Sequence, residues 1–423
     1  MDPATDVTGR CFVSYRRSHA DDVSKVVAAM LDHGVPPWQD LRDLASEPLE
    51  SAIDEVLRSP STSGALVWLS EDFQASDVIT RIEAPRLLER LDRDKSFFAE
   101  IWLADDLDFA RASELFRPSG QYAALSESWN VKRAVTSDRT LPDGSLGRRI
   151  DEVEARRVAV TLLRRRLSRI HAALPPGQPI KVLVSAYGEG GEAFEPGYAI
   201  QLNWSRLFTH RFVTADKWQE VITPALAGVY QAVRNAAPGR ALAVEGRSSL
   251  AACLLLGHTF REVTKVPLSW TQHPSGAVWS LATPPIDAGF RVSLRHQHVG
   301  SNDLAVLISV AGDVEPAVVA TSTLPTFRAV LKVSPADGST RSELAAAQGA
   351  QLARQIVDAI REIRGQLRTI ERLHLFLAGP AGLAVLLGQL LNAVGPVQTY
   401  EHDQTSGVGC YRAAALLGDP STT

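Results

Sequence analysis

The 423-residue chain carries a net charge of −4, with 45% hydrophobic and 22% charged residues. That is the make-up of a water-soluble globular protein with too much chain for one ordinary core, so two domains are expected. The slightly acidic balance excludes a binder of long nucleic acid, which needs many lysine and arginine contacts to phosphate, but leaves room for a small anionic ligand held locally. No apolar run reaches the roughly 18–20 residues of a membrane span. The acidic start Met1-Asp2-Pro3-Ala4-Thr5-Asp6 leads into no signal-type apolar stretch, so a cytoplasmic protein is expected. Cys11, Cys253 and Cys410 are scattered without a CxxC pair. They read as reduced thiols, and no metal site or cofactor is expected.

In chain order, Cys11 to Tyr15 is a short apolar strand, and a helix follows from Asp21 with Val23, Val26, Val27, Met30 and Leu31 at helical spacing. Val35-Pro36-Pro37-Trp38 is a brief strand that its prolines restrict to an edge or a loop. Leu49 to Leu57 predicts a helix, Gly64 to Leu69 and Phe97 to Leu103 buried strands, and Gln121 to Leu125 a last strand. Ile150 to Leu174 predicts a long helix. Its arginines (Arg156, Arg157, Arg164, Arg165, Arg166, Arg169) share it with Asp151, Glu152 and Glu154, the pattern of a solvated face. Strands separated by single helices favour a parallel, doubly wound sheet.

Pro175-Pro176-Gly177-Gln178-Pro179 breaks that helix and places a domain boundary between 174 and 178; polar, turn-rich Thr136 to Gly147 is the competing choice. The second half opens with the strand Lys181 to Val184 and contains a weak repeat. Ala241 to Val244 runs through Gly246 into Leu250 to Leu254, and Leu375 to Ala378 runs through Gly379 into Leu383 to Leu387. Both read G-x-x-x-L-A between a strand and an apolar helix, suggesting two pseudo-equivalent Rossmann-like halves.

Four stretches in order resemble the TIR (Toll/interleukin-receptor) family: Phe12-Val13-Ser14-Tyr15-Arg16-Arg17, Trp38 to Leu44, Leu66 to Phe73, and Ser76 followed by Glu83. The resemblance implies a flavodoxin-like domain with a parallel sheet over residues 1–174 (core 9–130) that cleaves NAD+. NAD+ is then the substrate and not a cofactor. Breaking the nicotinamide–ribose bond needs no metal, because nicotinamide leaves as a neutral molecule from a cationic substrate. A carboxylate beside the oxocarbenium-like ribose lowers the barrier. Glu83 is the catalytic candidate, with a solvated helix carboxylate as the plain alternative. Ser76, about two helical turns earlier, shares its face if the helix is continuous, which Pro85 puts in question. Ser14 and Arg16 lie past a strand's carboxyl end, where open α/β sheets bind ligands; Arg16 either pairs with the pyrophosphate or forms a surface ion pair. Trp38 either stacks on an NAD ring or packs under its loop. Asp43 either contacts NAD or caps a helix.

The last part resembles the SAVED sensor domain, on His374-Leu375-Phe376-Leu377-Ala378-Gly379-Pro380-Ala381-Gly382-Leu383-Ala384, Gly388 and Tyr400-Glu401. The resemblance covers residues 178–423 and implies two fused CARF-like halves. It also implies a cyclic oligonucleotide second messenger as partner, cyclic tri-adenylate-like, and an effector of CBASS-type anti-phage defence. Gly246-Arg247-Ser248-Ser249 and Gly379-Pro380-Ala381-Gly382 each lead into a helix N-terminus and offer donors to phosphate. Trp270, Trp279 and Tyr400 either stack on bases or pack in the core. His296 and His298 lack a third metal ligand nearby and read as solvent-facing strand residues. The expected switch is head-to-tail self-association into an oligomer or filament, with the 38–44 loop as its moving part.

Overall fold

The computed structural model describes residues 5–39, 49–104, 107–115, 130–140, 146–187, 194–339, 343–404 and 409–418. The chain divides into two compact units. The first comprises Met1–Lys181, Glu192–Asn203 and Gln231–Pro238, and the second Val182–Gly191, Trp204–Tyr230 and Gly239–Thr423. Among the described residues, no helix is long and apolar enough to cross a membrane.

In the first unit, strands β1 (Arg10–Ser14), β2 (Pro37–Trp38), β3 (Thr62–Leu69), β4 (Phe98–Leu103) and β5 (Asn130–Arg133) form one sheet in the order β2-β1-β3-β4-β5. Every pairing in it is parallel. This is the flavodoxin-like strand order. All of β3 is buried, as expected for a central parallel strand covered on both faces. Two-residue β2 sits at the edge, where its proline leaves no ladder bond unmade. Helices α1 (Ala20–Asp32), α2 (Leu49–Arg58), α3 (Ala84–Arg93), α4 (Phe109–Leu115) and α5 (Glu152–Ala173) complete the unit. The hairpin of β6 (Ser137–Thr140) and β7 (Leu146–Arg149) precedes α5. The fifth sheet strand is thus Asn130–Arg133, and the expected strand at 121–125 lies outside the described residues.

Helix α5 departs from the solvated face expected of it. Arg157 and Arg165 do bond carboxylates, Glu154 and Glu100, but Arg166 is fully buried. Its guanidinium donates to the carbonyls of Thr8, Gly9 and Ala199 (2.7 Å for the last) and to Ser63 Oγ at 2.9 Å. Burial pushes its pKa down to about 10. A helix pattern records charge, not which position meets irregular backbone with spare carbonyls, and a fork of five donors is what such a place needs. Replacing Arg166 by alanine should cost about 3–5 kcal/mol, read as a fall in the urea midpoint, because several buried acceptors lose their donor together. A loss below about 1 kcal/mol would mean that water replaces the guanidinium.

The second unit contains two sheets. Strands β8 (Ile180–Ser185), β10 (Leu242–Arg247), β11 (Leu268–Gln272) and β12 (Ala277–Ser280) lie in the order β12-β11-β10-β8. Strand β9 (Ile200–Asn203) falls to the first unit. Strands β13 (Phe290–His296), β14 (Asp303–Ser309), β15 (Ala329–Pro335), β16 (Arg372–Ala378), β17 (Val397–Asp403) and β18 (Cys410–Leu417) lie in the order β13-β15-β14-β16-β17-β18. Here β15, β14, β16 and β17 are parallel, with antiparallel strands at both edges. The helices are α6 (Thr223–Ala236, divided between the units), α7 (Leu250–Thr259), α8 (Glu315–Ala320), α9 (Ala346–Gln366) and α10 (Ala381–Leu390).

The internal repeat is real in space, but in a different register from the sequence pattern. Helices α7 and α10 are each ten residues long and pack on one another at two glycines. A Cβ on Gly257 would lie 2.1 Å from the Val385 carbonyl oxygen, and one on Gly388 2.2 Å from that of Leu254. Backbone therefore meets backbone, which only glycine permits. The pairs 250/381, 254/385 and 257/388 share one offset of 131 residues, whereas G-x-x-x-L-A pairs Gly246 with Gly379, an offset of 133.

Candidate functional site

The first unit gathers polar groups where its sheet reverses direction. The strand order changes sense between β1 and β3, and Ser14 is the last residue of β1. Its hydroxyl donates to Glu83 Oε2 at 2.5 Å, with both residues buried. Beyond the end of β3, Asp72 accepts from Ser70 at 2.6 Å and from Ser18 at 2.8 Å, and Arg16 Nε lies 3.5 Å from its carboxylate. Burial opposes the charge of Asp72, yet those hydroxyls and the Arg16 guanidinium hold its carboxyl below the ordinary aspartate value. Ser70 and Asp72 carried only the signal of a strand exit, a serine followed two residues later by aspartate, and Ser18 carried none.

Glu83 ends a π-helical turn, Ile79–Glu83, that runs into α3. Pro85 follows that turn inside one continuous helical run, where the Ala84 N–H already bonds back to the Ile79 carbonyl and the ordinary α-helical ladder is interrupted. The wider turn lags the α-helical phase, so a seven-residue spacing no longer selects one face. Ser76 serves as a cap instead, its hydroxyl accepting from the Ile79 N–H at 3.4 Å, and Ser14 is the serine that meets the carboxylate. Trp38 is buried and stacks on Phe12, with ring centroids 5.2 Å apart. Of the two readings of Trp38, this burial fits packing rather than an open stacking surface. Asp43 and most of the 38–44 loop lie outside the described residues.

In the second unit the same reversal occurs at β14. Strand β14 lies between β15 and β16, and both Val310 and Ala311 donate their N–H groups to the Ala378 carbonyl at 2.9 Å. Strand β8 has β10 on one side, and on the other Trp204 donates to Ser185; just past its end, Ala186 donates to the Arg247 carbonyl, both at 2.8 Å. Ser249 caps α7, accepting from the Ala252 N–H at 3.2 Å, and Pro380 caps α10.

Several expected ligand contacts are corrected. Gly246 lies inside β10 with φ +132°, and a Cβ there would sit 2.1 Å from the Val184 carbonyl oxygen, so it serves strand approach rather than a phosphate turn. Trp270 and Trp279 are cross-strand partners buried in the core. The Trp279 ring occupies the space that a Cβ on Gly349 or Gly382 would fill. Tyr400 is buried against Phe376, centroids 4.4 Å apart, and its hydroxyl lies 2.8 Å from His374 Nδ1. None of the three offers a free ring face. Arg247 is exposed, Ser248, Gly379 and Pro380 are half-buried, and His296 and His298 are exposed.

One cluster at the β8 end was not anticipated. The Ser249 hydroxyl is shared by the Tyr187 phenol and the Glu401 carboxyl. Burial pushes Tyr187 above the ordinary tyrosine value and raises Glu401 to about 7, the Ser249 bond only partly offsetting the latter. Glu401 Oε1 has no hydrogen-bond partner among the described residues. Above Tyr187 lies the Arg211 guanidinium, 5.3 Å from the ring centroid. Arg211 belongs to a two-residue turn closed by mutual Thr209 and Phe212 bonds, and both His210 and Arg211 have positive φ, 49° and 75°. Two such residues without glycine are a strained choice, of the kind that collects at ligand sites.

Residues 226–416 match the model of the SAVED family, described as the "SMODS-associated and fused to various effectors sensor domain". The chain carries a SAVED domain. Within it lie α7, α10 and the glycine contact that joins them. Similar solved structures include the SAVED/CARF-domain containing receptor Cap4 of Acinetobacter baumannii with the cyclic trinucleotide 2'3'3'-cAAA, at 13% identity and a TM-score of 0.48. That likeness covers 84% of this chain and 88% of that one. Moraxella osloensis Cap4 matches at 13% identity and a TM-score of 0.45, over 96% and 100% of the two chains. No curated protein matches the chain.

The raised carboxyl in the SAVED domain has a measurable consequence. In the native state Glu401 keeps a proton that the unfolded chain releases near its ordinary value of 4.5. Its contribution to stability is complete below that pH and is lost as the pH rises through about 7. The stability of the wild type relative to Glu401→Gln should therefore fall as the pH is raised from about 5 to about 8, as read from urea midpoints. A difference that stays level over that range would mean that the carboxyl titrates as an exposed one.

Proposed function

We propose that the chain is an NAD+ glycohydrolase that a cyclic oligonucleotide switches on. The sensing half of this reading rests on the SAVED match, and the ligand class on what that family resemblance implies, a cyclic tri-adenylate-like second messenger. The catalytic half rests on one observation, the Ser14–Glu83 contact at the carboxyl end of β1 in a flavodoxin-ordered sheet. The resemblance pairs Glu83 with Ser76; here Ser14 takes that place and fixes the carboxylate that would face the substrate ribose.

In this mechanism the Glu83 carboxylate stabilises positive charge as the nicotinamide–ribose bond breaks, and Ser14 orients the carboxylate by donating to it. Arg16, at the same end of the sheet, turns from Asp72 to the pyrophosphate when NAD+ enters. Ligand binding drives head-to-tail association of SAVED domains, and the assembled state is the active one, which depletes NAD+ in anti-phage defence. A second reading, a non-catalytic scaffold assembled by nucleotide, is favoured by the same bonds if they are purely structural: Glu83 and Arg16 both have partners within the fold.

Nicotinamide release with activating ligand present separates the two. Glu83→Gln should lower it by roughly a hundredfold or more, and Ser14→Ala by a smaller factor, with assembly intact by light scattering. Release that is unchanged in Glu83→Gln, or undetectable in the assembled wild type, would leave the scaffold.

A further inference from the structure

The SAVED domain contains a cavity that neither glycine turn forms. It is a half-open cleft of about 510 Å³ whose lining includes Arg291, Ser293, Ser309, Asp313, Lys332 and Ser334. That volume lies within the roughly 300–1,000 Å³ usual for small-ligand sites. Strand alternation builds it. Val292 faces the α9 side of the sheet, so Arg291 and Ser293 face the other. Register then places Arg291 opposite Ser334 and Ser293 opposite Lys332. The Ile308–Val333 pairing brings Ser309 alongside Ser334. Three adjacent strands thus present hydroxyls and cations in one row. Ser309 and Ser334 stand at the carboxyl ends of two parallel strands, where such sheets bind ligands.

The charges in this row are not equivalent. Lys332 is already engaged, 2.7 Å from Glu315 and 3.7 Å from Asp313. Arg291 has no ion-pair partner among the described residues and is exposed. Its planar fork is suited to two oxygens of a phosphate. Asp313 accepts from the Ser309 hydroxyl at 3.3 Å and from the Glu315 N–H at 3.1 Å, and retains capacity for another donor. A guanidinium, several hydroxyls and one carboxylate together match a phosphate ester that also carries a hydroxyl.

We propose that this cavity is a phosphate-ester site that holds one nucleotide unit, its phosphate on Arg291 and the Ser334 hydroxyl and its sugar hydroxyl on Asp313. The assignment to a unit of the cyclic activator rests on the sensing reading above; the phosphate-ester chemistry does not. Titration calorimetry on the full chain tests it with cyclic di-, tri- and tetra-adenylates, adenosine 5′-monophosphate, inorganic phosphate and adenosine as separate probes. For the ring that binds, Arg291→Ala should raise Kd at least tenfold with the wild-type melting temperature retained, and Arg291→Lys should fall between. Among the small probes the monophosphate should bind and adenosine should not, while equal affinity for inorganic phosphate would assign the site to free phosphate and overturn the nucleotide assignment. A ring Kd unchanged in Arg291→Ala overturns the site and leaves the sensing reading standing. If no ring binds either protein, the sensing reading fails by itself. The monophosphate then decides the site: binding lost in Arg291→Ala supports it, and binding that is equal or absent overturns it.

Discussion

A parallel sheet that reverses its winding direction must leave the carboxyl end of its first strand open, because the flanking connections depart to opposite faces. That constraint organises the chemistry in both units. At the β1/β3 reversal the chain places Ser14, Glu83 and Asp72; at the β14/β16 reversal, Ser309 to Asp313 and the Pro380 cap; beside β8, Tyr187, Arg247 and Ser249. In each case the last residue of a strand and the segment beyond it share the polar groups. Buried polar groups at such ends stay satisfied largely by one another, as the paired Ser14 and Glu83 illustrate.

A second constraint fixes the two halves of the SAVED domain to each other. Gly257 and Gly388 let α7 and α10 approach backbone to backbone, and the helices are thereby held as a matched pair. Side-chain rearrangement has little room at such a contact, so motion of one helix cap is transmitted to the other more readily than through a layer of flexible side chains. This gives the domain a rigid centre with its polar clusters at the periphery, on loops and strand ends.

Much of the architecture was legible because buried parallel strands announce themselves as continuous apolar runs: Gly64 to Leu69, Phe97 to Leu103 and Leu375 to Ala378 all lie in strands. Proline placement was legible too, at edge strand β2. What the sequence hid depended on contacts between distant segments. Arg166 looks like its neighbours until the Thr8 and Gly9 carbonyls are brought beside it. The π turn at Ile79–Glu83 leaves no clear composition signal, yet it moves Glu83 away from the phase of Ser76 and gives it Ser14. The repeat was found two residues out of register, because a glycine needed for strand approach, Gly246, resembles one needed for a turn. Trp270, Trp279 and Tyr400 are core, one of the two readings left open because residue type alone does not distinguish a stacking platform from a buried ring.

One chain holds a carboxylate site in a flavodoxin-ordered sheet and a SAVED domain, so under the proposed function cleavage should depend on ligand and on assembly together. The most direct measurement is NAD+ consumption by the full chain across cyclic di-, tri- and tetranucleotides, repeated over a range of protein concentrations. The account predicts negligible turnover without ligand, activation by one ring class, and a specific activity that rises with protein concentration as assemblies form. Full-rate consumption by the ligand-free monomer, or none with any ring, would contradict it.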